Sequence, residues 1–96
     1  MKVRELTVAL AELDAALGHY RDIDPRLAAA LLAEVDAAKQ AIRRFPSAWK
    51  RFRSGVRGFT LRRFPYTIIY QATDDEILIV AYAHQRRQPQ YWLKRV

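Results

Sequence analysis

Residues 56–84 read VRGFTLRRFPYTIIYQATDDEILIVAYAH, and the fold turns on this stretch. Its period is two, in three β-rich runs: Val56 to Arg63, Tyr66 to Ala72 and Glu76 to His84. Phe64-Pro65 separates the first two runs and Thr73-Asp74-Asp75 the last two. Gaps this short suit hairpins, so the runs are expected to pair as an antiparallel meander. In Ile68, Ile69, Ile77, Leu78, Ile79 and Val80 both faces are apolar, which marks the later two strands as well covered.

Upstream the period becomes helical. Leu6, Leu10, Leu13, Leu17 and Tyr20 recur at spacings of four and three, which stacks them on one helix face, with Thr7 as the expected N-cap. Asp24-Pro25 reads as a second N-cap followed by proline at the first helical position. The second helix then runs from Pro25 to Arg44 with a stripe of Leu27, Leu31, Val35, Ala38 and Ile42, and Pro46 stops it. With a loop of about four residues between them, the two helices should pack as an antiparallel hairpin over one face of the sheet. Residues 2–6 admit a short first strand, and Ser47 to Gly55 form a basic connector. The expected class is therefore α+β, with residues 1–96 forming one domain.

Composition narrows the function. The chain has no cysteine, which excludes a disulfide framework and thiol chemistry. His19 and His84 lie far apart in sequence, so no metal site and no cofactor are expected. There is neither a signal-peptide run nor a membrane-length apolar stretch, and a cytoplasmic protein is expected. The net charge of +7 is unevenly distributed: residues 1–42 balance to −2 and residues 43–96 to +9. Such asymmetry points one half of the molecule at a polyanion or an acidic protein.

The basic residues are interleaved with aromatics. Trp49-Lys50-Arg51-Phe52-Arg53 and Arg57 precede Arg62-Arg63-Phe64-Pro65-Tyr66, and two strands later come His84-Gln85-Arg86-Arg87, Tyr91 and Trp92. In a meander the first and third strands finish at the same end, so Arg62, Arg63 and Tyr66 should neighbour His84, Arg86 and Arg87. Guanidinium groups grip phosphate or carboxylate at two points, and aromatic rings stack or anchor. The cluster suits RNA, DNA or an acidic helical partner. The bland alternatives are that Trp92 and Phe64 only pack, that Tyr66 only covers the sheet, and that His84 only holds a tail carbonyl.

With these motifs in view, the chain resembles the RelE/ParE toxin superfamily of type II toxin–antitoxin systems, with ParE-like members closer. The resemblance rests on Ala9, Glu12-Leu13, Ala16, Tyr20, Ile42 and Pro46. It continues through Val56-Arg57, Leu61-Arg62-Arg63-Phe64-Pro65-Tyr66, Ile68, Ile69 and Tyr70, and ends with Ala83-His84-Gln85-Arg86-Arg87, Pro89 and Tyr91-Trp92. It implies a helical hairpin on a twisted antiparallel sheet, with a short N-terminal strand joining the sheet edge. It also implies a growth-arresting toxin neutralised by a cognate antitoxin that wraps it as helix and extended chain. ParE-like members poison DNA gyrase, which makes gyrase the favoured target and Arg57, Arg62, Arg63, Tyr66, His84, Arg86, Arg87, Tyr91 and Trp92 the expected target- or antitoxin-binding residues. RelE-like members cut messenger RNA on the ribosome. On that reading His84 or Tyr91 helps activate the 2′-hydroxyl while Arg62, Arg63, Arg86 or Arg87 hold the phosphate. A third reading is a non-toxic RNA- or DNA-binding module of the same fold.

Overall fold

In the computed structural model, which describes residues 1–96, strand β1 (Lys2–Glu5) leads into helices α1 (Thr7–Ile23) and α2 (Pro25–Arg44). Four strands follow: β2 (Lys50–Arg51), β3 (Val56–Thr60), β4 (Tyr66–Ala72) and β5 (Glu76–His84). They form one five-stranded sheet in the order β1-β5-β4-β3-β2. The meander is present as expected, except that its first strand stops at Thr60 rather than Arg63, and two features complete it. β1 runs parallel to β5, with Lys2 opposite Glu76 and Glu5 opposite Ile79, so the sheet is mixed rather than wholly antiparallel. The basic connector contributes β2, which pairs antiparallel with β3 and forms the other edge.

The turn between the helices is shorter than the expected four residues. α1 continues to Ile23, and Asp24 alone joins it to α2. Asp24 caps both ends: its backbone N–H donates to the Tyr20 carbonyl, and its carboxylate accepts the N–H of Arg26 at 2.9 Å. Leu6, not Thr7, occupies the N-cap of α1, and it has no side-chain hydrogen bond there. The buried face of α1 is Ala9, Leu13 and Ala16. Leu10 lies outside this face, half exposed, because the small alanines let the helix approach the sheet on a stripe rotated from the one the leucines trace.

Two apolar layers hold the sheet. The helix side gathers Leu13, Leu31, Val35, Ile42, Ile68 and Ile79 with Tyr70 and Tyr82. The Tyr70 hydroxyl finds its partner in the Pro46 carbonyl at 2.6 Å, as a buried phenol must. The opposite side holds Val56, Ile69, Val80, Ala81 and Trp92, covered by the C-terminal 3-10 turn Tyr91–Arg95 and by Phe52. Gly58 is required under that cover, since a Cβ there would sit 2.5 Å from the Phe52 ring. Glu5 ties three elements: its carboxylate takes Lys39 of α2 at 3.0 Å and the hydroxyl of Tyr82 on β5.

Candidate functional site

The site is built at the end of the sheet where β4 begins and β5 finishes. Tyr66 and His84 are paired across the strands, and their rings meet edge to face at 5.0 Å. A β-bulge decides which way they point. The register slips between Ile69 and Tyr70, which face Ala81 and Ile79, so Val80 is the extra residue of β5. Ile77 and Ile79 pack toward the helices before the bulge, and Tyr82 does so after it. Alternation then brings His84 to the helix side as well, where it lines a groove of about 210 Å³ with Glu12, Ala15, Ala16, Tyr66, Tyr82 and Arg87.

Glu12 is the centre of this end. Its carboxylate accepts the Tyr82 backbone N–H at 3.1 Å, both terminal nitrogens of Arg95 at 2.9 and 3.1 Å, and the Tyr91 hydroxyl. Arg87 lies 3.9 Å from the same carboxylate, and its guanidinium stacks 3.9 Å above the Tyr91 ring centroid. Glu12 thus fastens the C-terminal turn to α1 and β5 together. Sequence reasoning gave Glu12 no site role of its own. The available signal was position: it falls three residues after Ala9 and four before Ala16, on the buried face of α1.

The titratable groups here have fixed roles. The Arg86 backbone N–H donates to His84 Nδ1 at 3.0 Å, so the neutral ring carries its proton on Nε2. Burial pushes the Tyr66 phenol upward, with Tyr20 adding to the effect. Burial raises Tyr91 further, helped by its hydrogen bond to Glu12, so both phenols stay protonated at neutral pH. The hydrogen bonds to Glu12 in turn hold the Arg95 guanidinium in its charged form.

The expected cluster divides. Tyr66, His84, Arg87 and Tyr91 meet around Glu12, and Arg86 stands exposed at the turn. Arg62 and Arg63 sit at the same sheet end but are drawn toward α2. Their backbone N–H groups donate to the Glu34 carboxylate, at 3.3 Å for Arg63, and with Ala30 and Ala33 they line a separate open trough of about 610 Å³. Arg57 lies near the far end of β3, half-buried, with its guanidinium donating to the Trp49 carbonyl at 2.9 Å. Trp92 is 3% exposed and packs edge to face on Phe52, so its ring belongs to the core.

Comparison with known proteins agrees with this architecture. The family described as "ParE toxin of type II toxin-antitoxin system, parDE" matches residues 7–89. The chain is 32% identical over 87 residues to Y4kP of Sinorhizobium fredii, a protein whose name marks it as a candidate toxin, covering 88% of this chain and 91% of that one. A chain of the "Chromosomal ParDE TA system from P. aeruginosa" superposes with a TM-score of 0.68 at 22% identity, over 88% of this chain and 95% of the other, which speaks for the fold. By its family match over residues 7–89, the chain belongs to the ParE toxins of type II toxin–antitoxin systems.

Proposed function

We propose that this toxin arrests bacterial growth by binding DNA gyrase in the cytoplasm, and that a cognate antitoxin neutralises it by covering the same end of the sheet. The observation that carries the reading is that both candidate bases there, the Glu12 carboxylate and His84 Nδ1, already accept hydrogen bonds. A ribonuclease needs a base free to take a proton from the 2′-hydroxyl. Glu12 is saturated by Arg95, Tyr91 and Tyr82, and His84 Nδ1 is occupied by the Arg86 N–H. At the same end of the sheet stand the exposed guanidiniums of Arg86 and Arg87 and, toward α2, those of Arg62 and Arg63, suited to gripping a protein surface. For the antitoxin, the trough between Ala30, Ala33 and the Arg62-Arg63 turn fits a helix with an acidic edge. Purified toxin added to gyrase should abolish supercoiling, and induction without antitoxin should stop DNA synthesis before protein synthesis. Untouched supercoiling at large excess rejects the proposal.

One observation favours a second reading, the ribosome-dependent endoribonuclease. Glu12, Tyr66, His84 and Arg87 line a single groove, and imidazole and guanidinium groups are those such a reaction uses. Messenger cleavage that persists in a His84→Ala, Arg86→Ala, Arg87→Ala protein removes it.

A further inference from the structure

Between Asp36 and Asp74 the chain has no carboxylate side chain. Five cations of this stretch follow one another within eleven residues, from the end of α2 to the turn after β2. Arg43 and Arg44 end α2, Lys50 and Arg51 are the whole of β2, and Arg53 opens the next turn. All five are exposed, and none has a carboxylate partner within 4.0 Å. β2 is an edge strand, bonded only to β3, so its outer side faces solvent. The chain's carboxylate side chains lie elsewhere: on α1, at Asp24 between the helices, on the first three-quarters of α2, and at the β1–β5 side with Glu5, Asp74, Asp75 and Glu76.

Charge on an edge strand deters edge-to-edge pairing, and Lys50 and Arg51 serve that purpose. It does not account for Arg43, Arg44 and Arg53, which lie outside the strand. A stable protein interface is usually anchored by an apolar pocket or by a longer free edge. Neither groove described above is lined by any of the five residues, and two residues are too few for strand addition. Phe45 is the one large aromatic strongly exposed beside the cations, too little for a platform that stacks successive bases. What remains is a cationic edge without carboxylate partners, the form that meets a regular polyanion through its phosphates.

We infer that the β2 edge, from Arg43 to Arg53, is a binding site for the phosphodiester backbone of duplex DNA, engaged without reading base sequence. The inference goes beyond the gyrase reading and does not rest on it. A toxin with such an edge holds DNA by itself, so its target need not supply every contact.

The test is fluorescence anisotropy of the full chain with a short mixed-sequence DNA duplex, without gyrase, over a range of salt. With all five cations on phosphates, log affinity should fall against log salt with a slope of about −4 to −5. Arg44→Ala, Lys50→Ala, Arg51→Ala together should weaken binding at least tenfold and flatten the slope by roughly three. Arg21→Ala, Arg26→Ala, where α1 ends and α2 begins, about 26 Å from Arg43 by the rise of α2 (~1.5 Å per residue), should bind as the parent does. Should the triple variant melt early, Arg43→Gln, Arg51→Gln and Arg53→Gln, made singly, should each flatten the slope by about one. The inference fails if the duplex does not bind at low salt, or if these replacements leave slope and affinity unchanged. It also fails if polyglutamate competes as well as the duplex, or if single-stranded RNA binds more tightly.

Discussion

The Tyr91 hydroxyl donates to the carboxylate of Glu12, joining the C-terminal turn to the first helix across 79 positions of sequence. Arg95 reinforces the joint from the same turn, and both its side chain and that of Glu12 are largely covered, at 20% and 15% exposure. Glu12→Ala should therefore cost about 2 kcal/mol, the scale of hydrogen bonds to a charged group. Urea unfolding checks the cost, and hydrogen exchange should show the C-terminal turn opening first. An unchanged midpoint would mean that Trp92 alone holds the tail.

Trp92 should dominate the opposite layer. Trp92→Ala is expected to cost roughly 3–5 kcal/mol, a large share of the stability of a small domain. A variant that melts like its parent but loses antitoxin affinity would place the ring at a partner surface, against its 3% exposure.

Gly58→Ala tests the same layer from beneath. Its Cβ would stand 2.5 Å from Phe52 Cε2 and 3.0 Å from Thr67 Cγ2, and the Phe52 ring cannot retreat without leaving Trp92. Overpacking of this kind costs about 1–3 kcal/mol. Adding Phe52→Leu should recover part of the loss, and a double-mutant cycle with purely additive values would refute the clash.

Alkaline pH should loosen the fold. Burial pushes the Tyr70 phenol up to about 12 and raises Tyr82 and Tyr91 as well, whereas an unfolded tyrosine titrates near about 10. A raised folded value favours the protonated form. The stabilisation is therefore whole below about pH 10 and drains away as pH climbs through 12 and beyond. Denaturant midpoints should hold flat up to about pH 9 and fall above about pH 10. Tyr70→Phe, less stable at neutral pH for want of its bond to Pro46, should show a shallower fall.

His84 gives the sharpest division between the two modes of action. An asparagine carries an acceptor near the place of Nδ1 and can receive the Arg86 N–H. On the gyrase reading His84→Asn should keep inhibition within roughly threefold, about 0.7 kcal/mol. Loss of growth arrest by orders of magnitude, with the protein still folded, would return the imidazole to catalysis.

Much of the architecture was legible because it is local. Tyr66–Ala72 and Glu76–His84 are strands over the bounds their alternation suggests, and α2 runs from Pro25 to Arg44 as Asp24, Pro25 and Pro46 signal. Caps, prolines and periodicity act through neighbours a few positions away, so they can be read without the fold. The stripe on α1 was legible only in part, since Leu10 and Ala9 compete for the same face and the sheet's shape chooses between them.

The sequence by itself determined the meander, the helical hairpin and the concentration of positive charge in the second half. The tertiary structure alone decided that β1 joins β5 in parallel, because a free sheet edge accepts a strand in either direction and the path of the chain into α1 chooses between them. It decided the bulge at Val80, one residue of slippage that turns Tyr82 and His84 toward the helices. It also made Glu12 the clasp of the molecule and drew Arg62 and Arg63 away from His84, since where a carboxylate finds its donors depends on segments brought together only when the chain folds.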